Sequence, residues 1–343
     1  MIAALYKQKE KKMSQNTLIS VVTPVFNGAE FIKMAYECLK RQTYSRWEWV
    51  VVDDGSTDDT FHKLNDICQQ DPRVRCLTQP NSGSAKQPRD HAVVESKGDF
   101  IIPLDIDDSI DDTYIETMHA RIVETGADIV YPEMHFVDLD TGNTIEVLPK
   151  AGFDRSKIYD ARELVKETLP EWTIGCNGGI YRRCAWINLS WPKPKEEIWM
   201  NSDEVDERIY LINAGKAAFS KACYYYLNHQ SSITSRVSPK LFHSMKTNRQ
   251  LSFIIENEFG KDSIEFKKVR QRVFYDWRNK MAVYAKHRHE LKASRTEVEG
   301  LLKDGFNQLS VDELSWSERF KFAFLANYQF LLFLFRIKYF FSN

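Results

Sequence analysis

The chain has 343 residues, with 43% apolar and 28% charged side chains, and 47 Lys+Arg against 48 Asp+Glu. That is enough chain to bury a sizeable core as one large domain or two modest ones, and the mixture excludes a disordered protein, a collagen and a disulfide-stapled mini-protein. A net charge of −1 leaves no global footprint for nucleic acid.

Residues 1–16 hold a short apolar start followed by KQKEKK; they read as a disordered leader, not a signal peptide. Thr17–Thr23 is a β-branched apolar run ended by Pro24, which predicts a buried strand. Asn27 with Glu30 three residues on predicts a capping box, and Phe31, Ala35 and Leu39 share one face of the helix that follows. Trp47–Val52 is a second strand, closed by Asp53-Asp54-Gly55-Ser56. Asp58 or Asp59 starts a helix with Phe61, Leu64, Ile67 and Cys68 inward. Val74–Leu77 is a third strand, 81–84 a turn and 85–97 a helix. Phe100–Leu104 is a fourth strand running into Asp105-Ile106-Asp107-Asp108. A helix over 111–125, stopped by Gly126, and a fifth strand at Asp128–Tyr131 complete the alternation.

Alternating apolar strands and helices predict an α/β fold with a mostly parallel sheet covered on both faces, whose ligands bind at the carboxyl ends of the strands. From 132 to 260 the pattern loosens into loops with several Trp and a Gly-rich turn at 175–179; 262–303 is a basic helical region. The expected organisation is a leader over 1–16, one domain over 17–260 that divides at 131/132, and a basic, aromatic helical extension over 261–343. Charge divides the same way. Residues 18–131 carry 11 basic and 20 acidic side chains, whereas 260–343 carry 16 and 10. The six Cys form no CxxC pair and read as reduced thiols of a cytosolic protein.

Both acidic clusters follow apolar strands. Asp105, Asp107 and Asp108 repel one another unless a cation is present, and hard oxygen donors suit Mg²⁺ or Mn²⁺ holding a diphosphate. The competing reading is a helix cap, with Asp108, Ser109, Asp111 and Asp112 ahead of the next helix. No GxGxxG follows the first strand and no GxxxxGK[ST] occurs, which disfavours dinucleotide oxidoreductases and P-loop enzymes.

Taken in order over 18–131, SVVTPVFNGAEFI, LKRQTYSRWEWVVVDDGSTDDT, QPNSGSAKQPRDHA and GDFIIPLDIDD resemble the N-terminal half of an inverting family 2 glycosyltransferase of the bacterial surface-polysaccharide type. The resemblance implies the Rossmann-like GT-A fold of nucleotide-diphospho-sugar transferases, a nucleotide-sugar donor, in particular a UDP-sugar, and a divalent cation, Mn²⁺ or Mg²⁺. By position it places Pro24, Phe26, Asn27 and Glu30 at the nucleotide end of the first strand, with Asp53 and Asp54 on the uridine. Arg89 would neutralise phosphate or hold an acid of the Asp105-x-Asp107 pair, Asp105 would hold ribose or sugar, and Asp107 the metal, with His229 as a further metal or pyrophosphate ligand. The usual Arg-Asn is Arg89-Asp90 here. The base that takes the acceptor proton is implied to be Asp203 or Glu204. Gly178, Gly179 and Trp172 either shape the acceptor side or form a tight turn and core, and Arg236 either reaches phosphate or is solvated. The acceptor is implied to be a glycan or lipid-linked glycan. Residues 320–341, with ten aromatics, predict either a helix lying in the cytosolic membrane interface or one packed on protein. Two other functions fit less well: a catalytically inactive sugar-nucleotide-binding scaffold subunit, and a sugar nucleotidyltransferase.

Overall fold

The computed structural model describes residues 17–150, 153–169, 171, 173–174, 177–187, 200–228, 237–309 and 332–337. Trp172, His229, Arg236, the leader and most of the aromatic tail lie outside the described residues. Contacts divide the chain into two units. The first takes in residues up to 167 with the described parts of 172–191 and 209–228; the second takes in 168–171, 200–208 and the chain from 237 onward.

The first unit is built on one mixed sheet of ten strands. Its strands are β1 (Ile19–Val25), β2 (Trp47–Asp53), β3 (Val74–Thr78), β4 (Phe100–Pro103), β5 (Ser109–Ile110), β6 (Ile129–Asp138), β7 (Thr144–Leu148), β8 (Tyr159–Asp160), β9 (Ile180–Arg182) and β10 (Lys216–Asn228). Helices α1 (Ile32–Lys40), α2 (Thr60–Gln70), α3 (Lys86–Glu95), α4 (Tyr114–Thr125), α5 (Ala161–Glu167) and α6 (Arg183–Ile187) belong to this unit. The main path runs β3-β2-β1-β4-β9-β6-β10-β5.

β1, β2, β3 and β4 pair in parallel, as the alternation predicts. Their period-2 pleat sends successive side chains to opposite faces, and both faces are apolar. Val21 and Val25 of β1 and Trp47, Trp49 and Val51 of β2 face α1, α2 and α4. Val22, Val50 and Val52 face Ala92 and Val93 of α3. The expected parallel pairing recurs where β6 meets β10, and short antiparallel strands interrupt it. β9 enters between β4 and β6 antiparallel to both, and β7, β8 and β5 add further antiparallel pairs.

Two other local expectations are corrected. Asn27 caps no helix: it sits at φ +51°, α1 begins only at Ile32, and no side chain caps it. Phe61 is 39% exposed instead of inward, so α2 packs through Leu64, Ile67 and Cys68. The region from 132 onward is also less loop-like than its composition suggests. β6 runs ten residues and β10 thirteen, paired in parallel.

The second unit is helical: α8 (Ser244–Phe259), α9 (Ile264–His287) and α10 (Arg295–Asn307). Helix α7 (Ser202–Asn213) gives residues 202–208 to this unit and 209–213 to the first. Trp277, Met281 and Tyr284 of α9 pack with Met245, Leu301 and Leu302 into one cluster. Gly305 is the close-approach point of α10, since a Cβ there would lie 2.6 Å from the Met245 sulfur. Leu332 and Phe335 from the tail join this cluster and Arg336 pairs with Glu299 at 2.9 Å, whereas Phe333, Leu334 and Ile337 are exposed. Among the described residues no helix is long and apolar enough to cross a membrane.

Candidate active site

The register brings three loops to one end of the parallel strands. Val25 of β1 lies beside Asp53 of β2, and Val22 beside Pro103 of β4, so the segments after β1, β2 and β4 emerge together. The loop after β1 is tied to the loop after β2. Asn27 Oδ1 accepts from the Thr57 backbone N–H (2.8 Å), Ser56 Oγ accepts from the Asn27 N–H (2.8 Å), and Thr60 Oγ1 accepts from the Gly28 N–H (2.9 Å). Phe26 and Glu30 remain exposed at this rim, and Pro24 is buried within β1.

Asp53 and Asp54 are 2% and 3% exposed. Burying two adjacent carboxylates requires donors for each, and the chain supplies them. Asp54 accepts from Gln79 Nε2 (2.7 Å) and from both the N–H and Oγ of Ser82 (2.9 Å each). Asp53 accepts from the Ser56 N–H (3.2 Å) and Thr78 Oγ1 (3.4 Å). Gln79 also accepts from His91 Nδ1 at 2.9 Å, because its amide nitrogen is committed to Asp54. The chain His91–Gln79–Asp54–Ser82 fixes the Asn81–Ser84 turn and was not legible in the sequence, since only the turn residues themselves carried a signal.

Around β4, Arg89 of α3 is 8% exposed and donates through Nη2 to Asp105 Oδ1 at 2.9 Å. Holding an acid of the pair, one of the two tasks considered for Arg89, is therefore the contact present. Asp90 pairs with Lys86 at 3.1 Å. The other oxygen of Asp105 accepts from Asn177 Nδ2 at 2.8 Å. Sequence reasoning noted the Asn-Gly-Gly turn but not this asparagine. The turn is built for the contact: Gly178 has φ +76°, its N–H donates to the Pro103 carbonyl (3.0 Å), and its carbonyl accepts from Tyr114 OH (2.5 Å). A Cβ there would lie 2.3 Å from Tyr224 Cδ2, so only glycine fits. This favours the tight-turn reading of Gly178.

Asp108 is 1% exposed and accepts from Tyr224 OH (2.5 Å) and the Leu227 N–H (3.0 Å). Burial, with the charges of Asp105 and Asp107 close by, pushes its carboxyl well above the usual range. Asp111 accepts from Tyr225 OH (2.9 Å) and the Cys223 N–H (3.1 Å). Asp108 and Asp111 thus brace β10, and the helix-cap reading is not what they do: α4 starts at Tyr114 with no side-chain cap. Asp107 is half-buried at the same turn.

Asp203 and Glu204 stand in the first turn of α7, within the second unit. Glu204 is 5% exposed and Asp203 half-buried. Asn201, at φ +55°, turns the chain into the helix.

Residues 20–186 match the family model described as Glycosyl transferase family 2. This segment is a family 2 glycosyltransferase domain. The chain is 36% identical over 126 residues to "Glycosyltransferase GlyG" of Streptococcus pneumoniae, covering 37% of this chain and 42% of GlyG. It is 26% identical over 221 residues to "UDP-Glc:alpha-D-GlcNAc-diphosphoundecaprenol beta-1,3-glucosyltransferase WfgD" of Escherichia coli, covering 64% of this chain and 80% of WfgD. The chain spans less than two-thirds of the length of several of the curated relatives it matches. In fold it is similar to S. aureus TarS 1-349 in complex with UDP-GlcNAc, with a TM-score of 0.63 and 19% identity over 86% of this chain and 82% of that one. The architecture is the GT-A fold.

Proposed function

We propose that the chain is an inverting transferase that moves a sugar from a UDP-sugar to a hydroxyl of a glycan or lipid-linked glycan during surface-polysaccharide assembly. The observation that carries this reading is the meeting of the Asp53-Asp54 loop and the Arg89–Asp105–Asn177 cluster at the carboxyl ends of three parallel strands. Donor-bound TarS shares the fold, and WfgD, whose name records a UDP-glucose donor and a diphosphoundecaprenol-linked acceptor, supports the class of substrates.

In this reading Pro24, Phe26, Asn27 and Glu30 line the nucleotide side with Asp53. Asp54 works through the Asn81–Ser84 turn that it holds. Arg89 keeps Asp105 oriented toward the ribose or sugar. The donor set fits a divalent ion, Mn²⁺ or Mg²⁺. Asp107 offers hard oxygen at the turn, and His229 is the further candidate ligand. Among the described residues no three His, Cys, Asp or Glu side chains form a metal cluster by themselves, so the donor diphosphate would complete the shell. Such an ion stabilises the charge that builds on the departing diphosphate. Direct displacement needs no enzyme nucleophile, only a base for the acceptor hydroxyl, which we assign to Asp203. Peripheral binding to the cytosolic membrane face is supported by exposed Phe333, Leu334 and Ile337 and by the basic helix α9.

Calorimetric titration with UDP, GDP and dTDP in Mn²⁺ tests the reading. Selective binding of UDP is expected; absence of binding to any of the three would refute a nucleotide-sugar site.

A further inference from the structure

The two adjacent acids of α7 differ in burial. Glu204 is buried and meets the Arg272 guanidinium of α9 in a bidentate pair: Nη2 lies 2.6 Å from Oε2, and Nη1 contacts Oε1. Arg208, one helical turn on and fully buried, approaches the same carboxylate at 3.7 Å and donates to the Thr168 carbonyl (2.9 Å) and hydroxyl. A carboxylate held in a fork by one guanidinium and approached by a second has its oxygens committed and its direction fixed. Asp203 precedes it by one residue, which places it about 100° around the helix in a less buried position.

The start of this helix is braced a second time. Thr247 of α8 donates its hydroxyl to the Met200 carbonyl, and α8 is tied to α9 where Asp276 accepts from Ser244 Oγ (2.9 Å) and Asn248 Nδ2 (2.7 Å). A buried ion pair is weak evidence for stability, since well-packed apolar groups often serve that end as well or better. Its forked geometry does fix direction, as a hydrophobic contact would not.

We infer that Arg272 is a positioning residue: by clamping Glu204 it locks the first turn of α7 and so sets the orientation of Asp203. This rests on the assignment of Asp203 as base. Near-attack geometry is strict, and displacements of about 1 Å can cost roughly 100-fold in rate.

The test is steady-state transfer to an acceptor, with donor affinity measured separately, for Arg272→Met, Arg272→Lys, Glu204→Gln and the double variant Glu204→Gln/Arg272→Met. We expect kcat to fall about 10- to 100-fold in Arg272→Met and Glu204→Gln with the UDP-sugar dissociation constant unchanged. The double variant should be no worse than either single one, because both remove the same clamp. Arg272→Lys, which keeps the charge but not the fork, should recover part of the rate and remains readable if Arg272→Met fails to fold. Unchanged kcat in Arg272→Lys and Glu204→Gln, or an equal loss of donor affinity, would overturn the inference. Asp203→Asn separates the two claims: full transfer there refutes the base assignment itself, whereas loss there with normal Glu204→Gln and Arg272→Lys refutes only the clamp.

Discussion

Replacing Gly178 by Ala should be among the most damaging single-methyl changes in the first unit. Two costs combine. At φ +76° an L-residue pays about 1–2 kcal/mol for left-handed backbone. The added Cβ would also lie 2.3 Å from Tyr224 Cδ2 and 2.6 Å from Tyr114 OH. Neither ring can retreat cheaply, since Tyr224 donates to buried Asp108 and Tyr114 donates to the Gly178 carbonyl itself. Overpacking of this kind costs about 1–3 kcal/mol. The sum, roughly 2–5 kcal/mol, is a large fraction of the 5–15 kcal/mol that typically separates folded from unfolded states. Thermal unfolding of the purified chain should show a fall on the order of 10 °C. Gly126→Ala is the matched control: it has φ +60° but nothing within 4 Å of the added carbon, so only the backbone cost of about 1–2 kcal/mol remains. Equal losses in the two variants would refute the claim that Tyr114 and Tyr224 enclose the Gly178 turn.

Asp108 holds its proton more tightly in the folded chain than in the unfolded one, so its contribution to stability is full at low pH and is lost as pH rises from the ordinary carboxylate range through its raised folded value. Metal-free thermal unfolding from pH 4 to pH 8 should therefore show a declining component that Asp108→Asn removes, and Mn²⁺ should raise the midpoint more at pH 8 than at pH 5; an unchanged profile in Asp108→Asn would count against this electrostatic account. Arg89→Met strips the cation from Asp105, and donor turnover should fall about 100-fold, with Arg89→Lys intermediate; a normal rate would mean that the Arg89–Asp105 pair is not needed. Co-sedimentation with vesicles rich in anionic lipid should weaken in Phe333→Ser/Ile337→Ser while the fold stays intact, and unchanged sedimentation would reject a lipid role for that face.

The first 131 residues were readable because their strands are short, apolar and punctuated, so β1–β4 and the intervening helices follow from local pattern. The acids after β2 and β4 could be placed at strand ends for the same reason. What resisted reading depends on distant partners. Asn27 looks like a cap by spacing, yet its amide is taken by Thr57, thirty residues away. β9 is only three residues long, too short to announce itself, but it reverses strand direction in mid-sheet. β10 carries a Tyr run and two Lys and lacks the clean apolar pattern of β1, because part of one face meets polar partners such as Asp111. Asn177, Gln79 and Tyr224 contribute through long-range hydrogen bonds, and no local spacing reveals those. The Glu204–Arg272 pair, 68 residues apart in the chain, is another long-range contact that no local spacing reveals.

The central claim is that the turn after β4, with Asp107, forms a cation-dependent site for a nucleotide-sugar donor. Donor hydrolysis measured over UDP-, GDP- and dTDP-sugars, with Mn²⁺ or with EDTA, on the parent chain and Asp107→Ala, tests it most directly. The account predicts hydrolysis of a UDP-sugar in Mn²⁺ that collapses both in EDTA and in Asp107→Ala. Hydrolysis that survives both would contradict it.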